Sequence, residues 1–221
     1  MMELSVHPYL FELASLMAIF AFAIVSPGAD LAMVMRQSIL HGRRSAILTS
    51  FGVGTSLMVH VTYTILGLGL VISQSITLFN IVKWCGVAYL LYIGVKALKA
   101  KPAETLDATA AAAPEPAARG PQSAFKAFGL GFAANALNPK PVFFFLSIFS
   151  TVVSTQTPVA VKFGYGLVMA SCLILWFVAV SLFMTTPAMR ARFARISHWI
   201  DRASGMVFIA LGLKLATEKA A

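Results

Sequence analysis

Charge is what this sequence has least of. Asp, Glu, Lys and Arg together make up 11% of its 221 residues, where a soluble domain carries about 25%. With 59% hydrophobic residues and a mean hydropathy of +0.83, too little polar surface remains to coat a water-soluble body. Several apolar runs also exceed the ~18 residues that mark a spanning helix. The class is therefore a polytopic all-α membrane protein, with no room for a separate soluble domain. Cysteine is scarce as well. Cys85 and Cys172 stand alone in apolar segments, which excludes a disulfide framework and a CxxC pair. Free thiols favour interiors, so both are expected to be buried and inert. The 8 acidic residues and 4 histidines are scattered, giving no metal-ligand cluster and no nucleophile–base constellation. No enzyme activity, metal or cofactor is expected. Met1 to Pro8 lack the basic region and cleavage pattern of a secretory signal, so the first apolar segment is expected to stay in the mature chain.

Charge of one sign dominates what there is, 17 basic residues giving a net +9. The placement argues against nucleic acid as a partner. The basic residues gather in three connections: Arg36, Arg43 and Arg44; then Lys96, Lys99, Lys101, Arg119 and Lys126; then Arg190, Arg192, Arg195 and Arg202. That is the pattern by which a membrane protein sets its orientation. It predicts a multi-pass protein whose N- and C-termini both face away from the cytoplasm.

Six hydrophobic segments can be drawn. The first runs from about Tyr9 to Ile39 and the second, after a basic turn with His41, from Ala46 to Ile72. The third covers Ile76 to Leu98, the fourth Phe125 to Val153, the fifth Val159 to Thr185 and the sixth Ala203 to Ala216. Lys99 to Gln122 is rich in Ala and Pro and reads as a cytoplasmic linker. Domain organisation follows as 1–98, a linker 99–124, and 125–221. Between Pro187 and Asp201, Met189, Phe193, Ile196 and Ile200 recur at helical spacing opposite arginines. This predicts an amphipathic surface helix that feeds into the short sixth segment.

Segments one and four are each interrupted by proline. Ser26-Pro27-Gly28-Ala29-Asp30 breaks the first and Asn138-Pro139-Lys140-Pro141 the fourth. Proline removes an amide donor, and glycine tolerates nearly any backbone angle. In lipid, freed backbone groups survive only where protein or a water-filled cavity satisfies them. A shift of 112 positions lays Pro27 on Pro139 and Phe51-Gly52-Val53-Gly54 on Phe163-Gly164-Tyr165-Gly166. Offsets of 119 and 118 relate Gly86 to Gly205 and Gly94-Val95-Lys96 to Gly212-Leu213-Lys214. Three helices per copy is an odd number, so the second copy enters the membrane upside down. Two inverted three-helix repeats, each with a broken first helix, are an arrangement of secondary transporters that bind substrate where the breaks meet.

Asp30 and Lys140 are the ionisable groups nearest the breaks. A charge at the bilayer centre costs about 2.5–3.5 kcal/mol on insertion scales, so each needs a partner. An amino-acid zwitterion offers an ammonium for one and a carboxylate for the other; an Asp30–Lys140 or Asp30–Arg36 ion pair is the plainer alternative. Ser26, Asn135 and Asn138 can hydrogen-bond a ligand or cap helix ends, and Pro27, Gly28, Pro139 and Pro141 shape the breaks. Candidate proton-coupling groups are Asp30 and His60, although a neutral His60 satisfied by a backbone carbonyl is the commoner situation. Phe143-Phe144-Phe145 are read as lipid or core contacts, and Lys83 as snorkelling to the outer interface.

Ser26-Pro27-Gly28-Ala29-Asp30 resembles the SPGPD signature of the LysE/RhtB family of amino-acid exporters. The likeness continues through Arg36-Gln37-Ser38, Gly42-Arg43-Arg44, Lys83 to Gly94, Asn138-Pro139-Lys140-Pro141 and Gly205 to Ala216. Only the Ala/Pro linker falls outside it. The resemblance implies an exporter of amino acids or related small metabolites, driven by the proton motive force, with protons and the lipid bilayer as its other partners. Ala29 stands where the signature has a second proline, which is expected to soften the break. Exporters of divalent metal, thiol or electron carriers within the same superfamily, and a non-transporting scaffold, are the rival classes. A bundle of six helices is also compatible with a homodimer.

Overall fold

The computed structural model describes residues 7–101, 122–183 and 187–217. These form seven helices and no strand among the described residues: α1 (His7–Val25), α2 (Ala29–Gln74), α3 (Ile76–Leu98), α4 (Ala124–Ala136), α5 (Pro139–Thr151), α6 (Val159–Phe183) and α7 (Pro187–Thr217). By length and apolar composition, four stretches can cross a membrane: Pro8–Val25, Ala29–Gly67, Ile76–Leu98 and Val159–Phe183. Most of the Ala/Pro linker lies outside the described residues.

The two proline breaks fall where expected, between α1 and α2 and between α4 and α5. So does the connection after the first segment: the expected basic turn is a corner at Gly42, φ 79 and ψ 176, beside Arg43 and Arg44, where two helical stretches, together α2 (Ala29–Gln74), meet. A left-handed backbone angle is one that glycine adopts without strain, so a single residue suffices for the corner. The surface segment and the sixth segment form one helix, α7, as expected. Its buried positions include Phe193, Ser197, Ser204 and Phe208, while Ile196 is exposed. The packed stripe thus keeps Phe193 and Ile200 of the predicted apolar face and adds small serines, leaving Ile196 outside it.

Helices α2 and α4 lie backbone to backbone because glycine allows it. A methyl on Gly52 would collide with the Phe128 carbonyl, and one on Gly131 with the Thr49 carbonyl. Thr49 Oγ1 bridges the seam, donating to Ser45 O and Ala127 O at 2.9 Å each. Further contacts recur in pairs. Gly54 packs on Ile174 of α6, and its counterpart Gly166 packs on Val61 of α2. Between α3 and α7, Gly86 meets Leu215 while Gly205 meets Ala97, and Gly94 meets Ile209 while Gly212 meets Leu91. Each contact reappears with the helices exchanged.

At the far end of α1, Glu12 accepts from Ser154 N at 3.0 Å and from Thr157 Oγ1 at 2.9 Å, both in the α5–α6 turn. Two side chains depart from expectation. Cys85 is exposed and Cys172 only partly buried, so neither is a core thiol. Lys83 is 8% exposed with Nζ 5.2 Å from the Trp84 ring, rather than snorkelling outward.

Candidate functional site

Each proline has a definite local consequence. In an uninterrupted helix the N–H of residue 27 would bond the carbonyl of residue 23, and that of residue 139 the carbonyl of residue 135. Pro27 and Pro139 have no such proton, so the Ala23 and Asn135 carbonyls lose those donors. Asn135 O still accepts from Asn138 N at 2.9 Å, and each carbonyl also takes a side-chain donor from the opposite half of the chain. Lys140 Nζ donates to Ala23 O at 3.3 Å, and His60 Nε2 reaches Asn135 O at 3.1 Å. A carbonyl can only accept, so Nε2 carries a proton. Nδ1 lies 2.6 Å from Tyr63 Oη, and His60, 1% exposed, has both nitrogens used.

Around these breaks lies a cavity of about 50 Å³, room for one or two water molecules at about 30 Å³ each. Ser26, Gly28, Asp30, Asn135, Asn138, Lys140 and Pro141 all line it, with Phe20, Phe144, Phe145 and Phe177 among its apolar walls. Asp30 sits in the first turn of α2, where the helix N-terminus favours a carboxylate. Its Oδ2 accepts from Asn135 Nδ2 at 2.9 Å, while Oδ1 is buried with no partner. Asn135 Oδ1 is also buried and unpartnered. Two acceptors with no partner among the described residues thus face one cavity, open to a donor that enters it. Asn138 caps α5, its side chain accepting from Lys140 N at 3.0 Å.

A second, wider space adjoins the first. This vestibule of about 580 Å³ is lined by Ser26, Pro27, Gly28, Tyr89, Lys96, Lys99, Lys101, Lys140, Asp201 and Phe208, among others. Ser26, Gly28, Leu31 and Lys140 border both spaces and make up the partition. Lys140 Nζ lies 5.3 Å from the Phe208 ring centre, a cation–π contact that steadies it there.

The sequence-predicted residues therefore converge with two qualifications. Pro139 opens α5 and acts through its missing N–H, and His60 acts through Asn135. Asp30 and Lys140 are not joined as the plainer alternative had it: the Lys140 amine bonds a backbone carbonyl, and Asn135 bonds Asp30. Phe144 and Phe145 are core residues as expected, and the same rings wall the cavity. Asp201 escaped sequence reading altogether, hidden in a segment whose arginine spacing points to a surface helix.

Apolar helices with two proline interruptions around one cavity are an arrangement found in membrane transporters. The comparison with known proteins narrows this. The LysE type translocator model matches residues 21–219, and the chain belongs to that family. It is 30% identical over 197 residues to a threonine efflux protein of Salmonella typhi, covering 89% of this chain and 93% of the relative. The threonine efflux protein of Escherichia coli K12 is 28% identical over 198 residues, with the same coverage of 89% and 93%. A homoserine/homoserine lactone efflux protein of Salmonella typhimurium is 30% identical over 205 residues, covering 88% and 91%. No solved structure matches the chain.

Proposed function

We propose that this protein exports small amino acids or closely related metabolites across the inner membrane, coupled to proton entry. The observation that carries the reading is the pair of unpartnered acceptors, Asp30 Oδ1 and Asn135 Oδ1, facing one cavity at the junction of the two breaks. A substrate ammonium or a proton on Asp30 supplies these acceptors with a donor. The two would compete for one carboxylate, which is the simplest way to exchange an outgoing amine for an incoming proton.

The exchanged contacts of α2 with α6 and of α3 with α7 support two inverted repeats packed about a pseudo-twofold axis. In this reading the first repeat is α1, α2 and α3. The second is α4 with α5, then α6, then α7. The vestibule, bordered by Lys96, Lys99 and Lys101, faces the cytoplasm by the positive-inside rule, with both termini on the other side. The state is one open for loading.

The test is efflux from vesicles loaded with L-threonine, L-homoserine, homoserine lactone, and basic and aliphatic amino acids, with and without a pH gradient. Wild-type protein should move at least one of them faster when the gradient is imposed, and Asp30→Asn should abolish that acceleration. Movement of none by the wild type sinks the exporter reading. An unchanged response in Asp30→Asn removes the carboxylate from coupling.

A further inference from the structure

The proposed function leaves one charged group of the vestibule without a task, the carboxylate of Asp201. Helix α7 brings it to the break in α1, where Ser26 Oγ donates to its Oδ1 at 3.1 Å. Ser204, one turn further on, donates to Phe22 O at 2.8 Å and fixes the same face of α7 against α1. Asp201 is therefore held in place at the floor of the vestibule, and Ser26 engages one of its two oxygens.

Size decides where a solute can sit in this state. The inner cavity of about 50 Å³ is too small for an amino acid. The vestibule of about 580 Å³ falls within the ~300–1,000 Å³ of ordinary small-molecule sites. Charge decides how the solute sits. Among the described residues, the vestibule's border carries Lys96, Lys99, Lys101 and Lys140 but a single carboxylate, Asp201. An ammonium group leaving water needs an anion or a set of acceptors, and Asp201 is the anion these residues offer.

We infer that Asp201 is the loading site for the substrate's α-ammonium group, with the Lys140 amine receiving the carboxylate of the same molecule across the vestibule floor. Ser26 is a positioning residue for Asp201. The amine then passes from Asp201 to Asp30 when the partition made by Ser26, Gly28, Leu31 and Lys140 opens. This inference rests on the exporter reading and adds a substrate class to it: primary α-amines, with the free carboxylate secondary. A site that took both homoserine and its lactone would have to hold the amine, because the lactone has no free carboxylate.

The experiment measures affinity of the purified full chain in lipid nanodiscs for L-threonine, L-homoserine and 2,4-dihydroxybutyrate, the hydroxy acid that replaces the homoserine amine by a hydroxyl. Wild type should prefer homoserine over the hydroxy acid by about tenfold or more, as expected for a hydrogen bond to a charged group. Asp201→Asn should reduce that preference to near unity, Asp201→Glu should keep most of it, and Ser26→Ala should weaken it partway. An Asp201→Asn protein that keeps the full preference overturns the inference while leaving the exporter reading standing. Wild type that binds none of the three, or makes no distinction between amine and hydroxyl, overturns it as well. If Asp201→Asn does not fold, Asp201→Glu and Ser26→Ala still decide, since a preference unaltered in Ser26→Ala and lost in Asp201→Glu contradicts the assignment.

Discussion

Glu12 of α1 and Tyr165 of α6, 153 residues apart in the chain, meet with the Tyr165 hydroxyl 3.0 Å from Glu12 Oε2. The same carboxylate takes Ser154 N–H and the Thr157 hydroxyl. It lies about 20 Å along α1 from Ser26, at 1.5 Å per residue. The first helix is thus fastened at both ends: by Glu12 at one, and by Ser26, Asp201 and Ser204 at the other.

Replacing Glu12 by Ala would strand two donors, Ser154 N–H and the Thr157 hydroxyl, while the Tyr165 hydroxyl keeps the Tyr9 carbonyl at 3.0 Å. Hydrogen bonds to an ionised group are worth about 1.5–3 kcal/mol, and the stranded partners add to the loss. For chains of this size each kcal/mol moves the melting temperature by about 2–4 °C, so Glu12→Ala should melt about 5 °C or more below wild type. Glu12→Gln, which keeps one acceptor oxygen, should fall between. Thermal unfolding in detergent followed by tryptophan fluorescence measures both, and a Glu12→Ala midpoint equal to wild type would mean the clamp carries no load.

The α2–α4 seam makes a sharper prediction because backbone cannot move aside as a side chain can. Gly52→Ala and Gly131→Ala drive a methyl into a carbonyl of the facing helix, and each should cost about 1–3 kcal/mol or more. Gly129→Ala and Gly164→Ala meet nothing within 4 Å and should stabilise by up to about 1 kcal/mol through helix propensity. The fraction recovered as a monodisperse peak from size-exclusion chromatography, with the melting midpoint, separates the two pairs. Equal behaviour of all four would refute the close approach.

These outcomes bear on what the sequence reveals. The breaks were legible because proline's missing proton is a local fact, and matched glycines such as Gly54 and Gly166 because a close neighbour leaves no room for a methyl; Gly164, matched to Gly52, has open space instead. The basic turn after segment one was legible from its charges, but not its tightness: the corner is confined to Gly42. Burial of cysteine was misread because a lipid-facing surface is as apolar as a core, so hydrophobic character does not separate Cys85, on the exposed face of α3, from an interior thiol. Asp201 was invisible because its partner Ser26 lies 175 residues away, and no periodicity encodes that distance.

His60 separates positioning from proton relay. Its Nε2–H bonds the Asn135 carbonyl alongside the Asn138 N–H, and the Asn135 side chain in turn holds Asp30. Gln can donate to the same carbonyl but cannot titrate. His60→Gln should therefore export within about threefold of wild type, the scale of one neutral hydrogen bond's geometry, with the same dependence on external pH. His60→Leu should lose most of its activity. A flattened pH profile in His60→Gln alone would assign the imidazole to proton coupling.

Ala29 tests how much the first break must flex. The Ala32 N–H bonds the Gly28 carbonyl at 3.0 Å, which makes Gly28 the cap and Ala29 the first residue of α2. At that position an N–H has no partner inside the helix, and proline's fixed φ suits it. The residue before a proline is pushed toward extended backbone, and here it is glycine, which accepts that at little cost. Ala29→Pro should therefore stabilise by about 0.4–1 kcal/mol through the unfolded chain, a rise of a few degrees in the melting midpoint. Asp30 keeps its place in the first turn, so efflux should persist. If instead the midpoint rises while efflux falls, the Gly28–Ala29 junction bends during transport, and the partition between vestibule and cavity opens by rotation about that junction rather than by a swing of the Lys140 side chain.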